Sequence, residues 1–253
     1  MRAPKALRLA LKLSFAGILY FSGCVVPIRA QQPAVTARIE LTKRLAGNTQ
    51  GSSRVADAAN VVVWLSPLDH AAADAGGTNS GRRPQLMQRN KTFEPHVVVI
   101  PVGSLVEFPN KDPFLHNVFS LFNGKRFDLG FYEAGQSKVV RFDRTGVSFL
   151  FCNIHAGMSA VVVAVDSPYY ALSDRAGGIA IPDVPDGRYQ MHVWYERGLT
   201  EDLKSLDRIV QVSSSTRSLG VIRVIVNSDY TLVHKNKYGQ DYNAPSNPGY
   251  SVP

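Results

Sequence analysis

The chain has 253 residues, with 28 Lys and Arg against 20 Asp and Glu, a formal net charge of +8. Five of those basic residues (Arg2, Lys5, Arg8, Lys12 and Arg29) and no acidic one fall in the first thirty positions, so the rest of the chain carries 23 basic against 20 acidic groups, a net +3. A balance that small gives no electrostatic footprint for nucleic acid, and no nucleic-acid partner is expected.

Taken in chain order, residues 1–30 come first. Their basic lead precedes the apolar stretch LSFAGILYFSGCVV, which is too short to span a bilayer, and Pro27 ends any helix ahead of IRA|QQ, a cleavage point after Ala30. This predicts a bacterial secretory signal peptide of the Gram-negative type and a periplasmic or otherwise exported mature protein. Cys24, in FSGC, weakly resembles a lipoprotein box with Phe21 where leucine is usual, so a lipid anchor there stays open. No later apolar run approaches the length of a membrane span, and no transmembrane segment is expected in the mature chain.

The mature chain reads as short β-strands. VTARIEL (35–41), NVVVWLS (60–66), HVVVIPV (96–102), SLVEF (104–108), KVVRFD (138–143), VSFLFC (147–152), SAVVVAV (159–165), RYQMHVWYE (188–196), RIVQV (208–212) and VIRVIV (221–226) alternate or run apolar. Turn formers such as Asn123-Gly124, Thr145-Gly146 and Pro185-Asp186-Gly187 separate them. No segment holds a 3.6-residue period over three turns, so the fold class is all-β, built of antiparallel sandwiches. Residues 69–83 are small, polar and Gly-rich, as a flexible linker is. The tail 228–253, rich in Tyr, Asn and Pro, cannot form a core of its own and reads as extended.

Cys152 is the cysteine that remains once the leader is gone, or once Cys24 carries lipid. In an oxidising compartment such a thiol is buried and inert, paired between chains, or bound to a metal. Its neighbours favour the metal. In FCNIHAGM, Cys152 ends an apolar strand, His155 lies in the following turn, and Gly157 permits a tight return before Met158. Thiolate, imidazole and thioether are soft or intermediate donors that suit copper. A second imidazole is offered by His116 in FPNKDPFLHNVFS, followed by Asn117. Zinc sites recruit more cysteines and avoid methionine, and haem attachment needs C-x-x-C-H, which is absent. Asn153 follows Cys152 and no His-x-His occurs, against a multicopper oxidase; a nucleophilic Cys–His pair fits poorly with a thiol on an interior strand.

These residues carry a resemblance. Phe93-x-Pro95, VGSLVEFPNKD, His116-Asn117, TGVSFLFC and C-x2-H-x2-M resemble a cupredoxin of the plastocyanin and amicyanin kind, over about a third of the chain. The resemblance implies a Greek-key sandwich over 84–167, copper as cofactor, and His116, Cys152, His155 and Met158 as its ligands. Asn117 would tie the two ligand loops together or hydrogen-bond near the sulfur, with His96 open as an additional ligand. The motif set also resembles methylamine-utilisation-type periplasmic proteins. The implied role is one-electron transfer, not enzymatic, with a redox partner docking transiently near His155. Copper storage or delivery, and an envelope interaction module, are the alternatives.

Residues 168–195 contain D-x2-G-G and a D-V-P-x-G-x-Y turn that resemble a small carboxypeptidase-regulatory or transthyretin-like β-sandwich, with Ile179, Ile181, Tyr189, Met191 and Val193 pointing inward. About sixty residues are few for a sandwich. The expectation is a discontinuous domain, 33–68 plus 168–227, with the cupredoxin unit inserted. The alternative puts the N-terminal strands in an enlarged cupredoxin sheet.

Overall fold

A computed structural model describes residues 33–45, 48–69, 83–121, 124–228, 230, 232 and 234–242. The expected signal peptide, Cys24 and most of the expected linker lie outside the described residues, as does the end of the tail. No described helix is long and apolar enough to cross a membrane. The strands are β1 (Val35–Leu45), β2 (Asn48–Arg54), β3 (Val62–Pro67), β4 (Met87–Arg89), β5 (Thr92–Glu94), β6 (Val97–Pro101), β7 (Leu105–Pro109), β8 (His116–Ser120) and β9 (Phe127–Tyr132). They continue with β10 (Ser137–Arg141), β11 (Gly146–Phe151), β12 (Ser159–Val165), β13 (Tyr170–Leu172), β14 (Gly178–Ile181), β15 (Gly187–Trp194), β16 (Arg208–Val212) and β17 (Ser218–Val226). Among the described residues one short helix, α1 (Thr200–Lys204), precedes β16.

The strands form two lobes. In the first, a five-stranded sheet of order β6-β12-β11-β8-β9 and the pair β10-β7 enclose a core that includes Ile100, Val106, Phe108, Val118, Phe142, Leu150 and Val162. This is a β-sandwich. In the second, β14-β1-β17 and β13-β3-β15-β16 enclose Ile39, Leu41, Val63, Leu65, Tyr189, Met191 and Val224. The N-terminal strands pair within this second lobe, β1 with β14 and β17, and β3 with β13 and β15. Ile179, Ile181, Tyr189, Met191 and Val193 are all buried there.

Two features depart from the sequence reading. The sheets are not purely antiparallel, because β1 runs parallel to β17 and β6 parallel to β12. Parallel neighbours need long crossovers, and each of these pairs is separated by many intervening strands. Strands β2, β4, β5 and β13 are additions to those expected from the sequence, and so is β9. Its alternation is interrupted at Gly130, whose φ of +64° is left-handed, and its pairing with β8 shifts register between Asn117 and Phe119.

Strand β12 explains how the lobes join. Ala160, Val162 and Ala164 face the first lobe's core, whereas Val161, Val163 and Val165 belong to a separate cluster with Val97 and Val99 of β6 and Val62 of β3. Trp64, Tyr170, Leu172 and Trp194 of the second lobe pack against that cluster. A strand with no solvent face reads as a continuous apolar run because each face has its own core. Polar contacts edge the seam: Trp64 Nε1 and the Ser66 hydroxyl both donate to Asp166, at 3.2 and 2.7 Å.

Candidate metal centre

The site lies at the end of the first lobe where β8 begins and β11 ends. Between β7 and β8, fully buried Asn110 holds the connection in shape. It accepts from the Asp112 amide (3.0 Å) and donates to the Phe114 and Tyr132 carbonyls (2.8 and 3.3 Å). That places Asp112 beneath His116, whose Nε2 donates to Asp112 Oδ2 at 2.7 Å. His116 is fully buried. That bond occupies Nε2 and leaves Nδ1 turned toward Cys152.

Cys152 is the free cysteine among the described residues and is fully buried. Its sulfur lies 3.7 Å from His116 Nδ1 and 3.6 Å from His155 Nδ1. One ligand atom from each of the three residues falls within 4.8 Å of the others. The loop closes on itself: the Met158 amide donates to the His155 carbonyl at 3.0 Å, and the Cys152 amide to the Met158 carbonyl at 3.3 Å. Met158 is fully buried in the same core cluster as Cys152. Gly157, expected to permit the turn, is not held there by backbone strain. It lies outside the left-handed region and a Cβ would meet nothing within 4 Å.

Burial and hydrogen bonding pull against each other at the sulfur. Burial pushes the Cys152 thiol up, while the backbone N–H groups of Asn117, Ile154 and His155 pull the other way. Three amides directed at a sulfur suit a thiolate, yet burial without a countercharge keeps it protonated; a soft cation resolves the conflict. His155 is pulled down to about 4, by burial first and then by the charges of His116 and Lys91, so its ring is neutral at neutral pH. Burial would raise the Asp112 carboxyl, but the Lys91 amide, the His116 ring and the Asn90 amide hold it below its ordinary value. The His116 and His155 imidazoles and a thiol that a cation would ionise form a donor set that fits copper.

The other candidates fall differently. Asn117 reaches the sulfur through its backbone N–H, and its side-chain amide donates to Asp128 on β9 at 2.7 Å instead of to the ligand loop. The structure does not bring His96 to the cluster. Its Nε2 meets Glu196 at 2.6 Å and its Nδ1 the Ser159 carbonyl at 3.2 Å, so both nitrogens are engaged at the seam between the lobes. Sequence reasoning passed over Asp112 and Asn110, and the signal was a carboxylate four residues before His116. It also passed over His234, which stacks on Phe151 at 3.9 Å between ring centroids.

Around His155 the surface is apolar. Phe114, Leu115, Ile154, Ala156, Gly157 and Pro113 are exposed, and the Phe114 ring lies 5.7 Å from that of His155. Lys91 sits 5.4 Å over the Phe114 ring.

No family profile and no curated protein matches the chain. Solved structures do. A purple cupredoxin from Nitrosopumilus maritimus is 23% identical, covering 32% of this chain and 99% of its own, with a TM-score of 0.30. Amicyanin from Paracoccus versutus is 18% identical over 40% of this chain and 97% of its own, TM-score 0.29. A copper-containing nitrite reductase from Thermus scotoductus is 24% identical over 39% of this chain but only 27% of its own, TM-score 0.32. What the chain itself presents is a β-sandwich carrying a His–Cys–His cluster at one end, with His116 and Cys152 buried and His155 partly buried.

Proposed function

We propose that this chain is an exported blue-copper protein that carries single electrons and is not an enzyme. The observation that carries the reading is the cluster of His116, Cys152 and His155 with ligand atoms within 4.8 Å of one another. Met158, buried in the same core cluster as Cys152, would be a fourth donor. A bound copper ion would supply the one-electron Cu(I)/Cu(II) couple. The protein's own part is to hold the donors still: Asp112 fixes the His116 ring, and β8, β11 and β12 anchor both ends of the ligand segments. Donors that do not move between oxidation states keep reorganisation small.

His155 is the proposed contact with partners, since it alone of the three is not fully buried. The apolar rim of Pro113, Phe114 and Ala156 suits a small transient interface, and Lys91 and exposed Lys111 favour a partner with an acidic rim. The test is direct. Full-length protein given Cu(II) is expected to develop an intense visible thiolate-to-copper band and a reversible one-electron wave, both absent in Cys152→Ser. A stoichiometrically loaded wild type without that band overturns the proposal; a band with no reversible wave favours storage or delivery.

A further inference from the structure

The tail reads from its sequence as extended, and its residues 234–242 lie across the ligand loop. Five contacts hold them there. His234 stacks on Phe151 at an interplanar angle of 23°, and its Nε2 donates to the Ala156 carbonyl at 2.8 Å. The Tyr242 hydroxyl donates to the Cys152 carbonyl at 2.7 Å. The Lys237 amide donates to Asn153 Oδ1 at 2.9 Å, and its ammonium pairs with Asp128 Oδ2 at 2.7 Å. Asp128 in turn accepts from Asn117. The segment is closed on itself by Asn236, whose side chain accepts from the Tyr238 and Gln240 amides at 2.9 and 3.0 Å.

These contacts have a common target. The loop's own bonds join Cys152 to Met158 and Met158 to His155. The tail supplies a partner for the Cys152 carbonyl, the Asn153 side chain and the Ala156 carbonyl. Through Lys237, Asp128 and Asn117 it also reaches the strand that begins with His116. Both ligand-bearing segments are thereby tied to one short piece of chain that lies outside either sandwich.

We propose that His234, Lys237 and Tyr242 are positioning residues of the metal centre, and that the tail segment they belong to shapes the 152–158 loop before any metal binds. The inference rests on the reading of this cluster as a metal site. A loop already held in its ligand-presenting form loses less freedom on binding, so affinity is gained without a new ligand. The strap also covers the loop on its Cys152 and Asn153 side, which leaves the Phe114 and His155 side as the open one. Access to the centre is therefore one-sided.

The experiment uses full-length protein and two readouts. In the metal-free state, alkylation of Cys152 by iodoacetamide reports how often the loop opens. His234→Ala combined with Tyr242→Phe is expected to speed it about tenfold, and Tyr242→Phe alone, which keeps the ring, about threefold. In the copper-loaded state, the same variants are expected to shift the charge-transfer band and the copper hyperfine splitting, and to weaken affinity against a competing chelator about tenfold. Alkylation within twofold of wild type in the single variant, with unchanged near-ultraviolet dichroism, overturns the strap. Wild type that takes up no copper leaves the alkylation result standing, so failure of the strap and failure of the copper reading are told apart.

Discussion

The two lobes are built by the same packing rules and treat polar groups differently. In the second lobe the buried polar side chains are Ser167 and Ser173, both satisfied: Ser167 donates to the Leu65 carbonyl, and Ser173 donates to that of Ala58 while accepting from the Val61 amide. The first lobe buries Gln88, Asn110, Asp112, His116, Asn117, Ser120 and Ser148. Among the described residues, Gln88 Oε1, Asn117 Oδ1 and Ser120 Oγ have no partner there. An unsatisfied buried group costs about 1–3 kcal/mol. The first lobe buries more polar side chains, and four of them, Asn110, Asp112, His116 and Asn117, gather at the end where the cluster lies.

The sharpest way to break this comparison is to separate the lobes. The fragment 84–167 would expose Val97, Val99, Val161, Val163 and Val165, an apolar stripe now covered by the second lobe. We expect it to associate or precipitate on expression, checked by light scattering and size exclusion; a monodisperse monomer would mean that the seam contributes little. Paired substitutions give the next effect. Met191→Ala, in the second core, should lower stability by about 2–5 kcal/mol in denaturant titration and leave copper affinity unchanged. Asp112→Asn should weaken copper binding about 10–100-fold, measured by chelator competition, at a smaller cost in stability.

The smallest expected effect lies at the seam. Glu196 raises the His96 pKa by hydrogen bond, against burial, which lowers it. A raised folded-state pKa contributes stability in full below the unfolded value of about 6.5, and that contribution fades as pH rises through the folded value. Glu196→Gln should therefore lower the unfolding free energy most near about pH 6 and least near about pH 9, by no more than about 1 kcal/mol since the His96 side chain is 39% exposed. An equal loss at both values would assign the role of Glu196 to its bond with the Tyr230 hydroxyl.

Much of this was legible in the sequence because it is local or periodic. Cys152, His155 and Met158 share one loop, and His116 announces itself by the motif around it. Alternation along 179–193 gave the inward residues of the second core. What was hidden depends on distant polar pairing. His96 meets a carboxylate a hundred residues away, and no local pattern distinguishes that from a ligand. The tail has no apolar period to read, because it docks through a ring stack and single hydrogen bonds. Strand β9 was masked by the left-handed residue at Gly130.

Strand β12 also bears on how Met158 reaches its place. Sheet register is ordinarily kept by alternating polarity, since a slip of one would turn greasy side chains toward water. SAVVVAV offers no such contrast. It offers one of bulk: two alanines and a valine on one side, three valines on the other. Sliding the strand by a single position would press larger groups into the sandwich interior and leave gaps in the seam, and a close-packed interior resists both errors. Volume, then, is the ruler that sets where the sulfur at 158 enters the site.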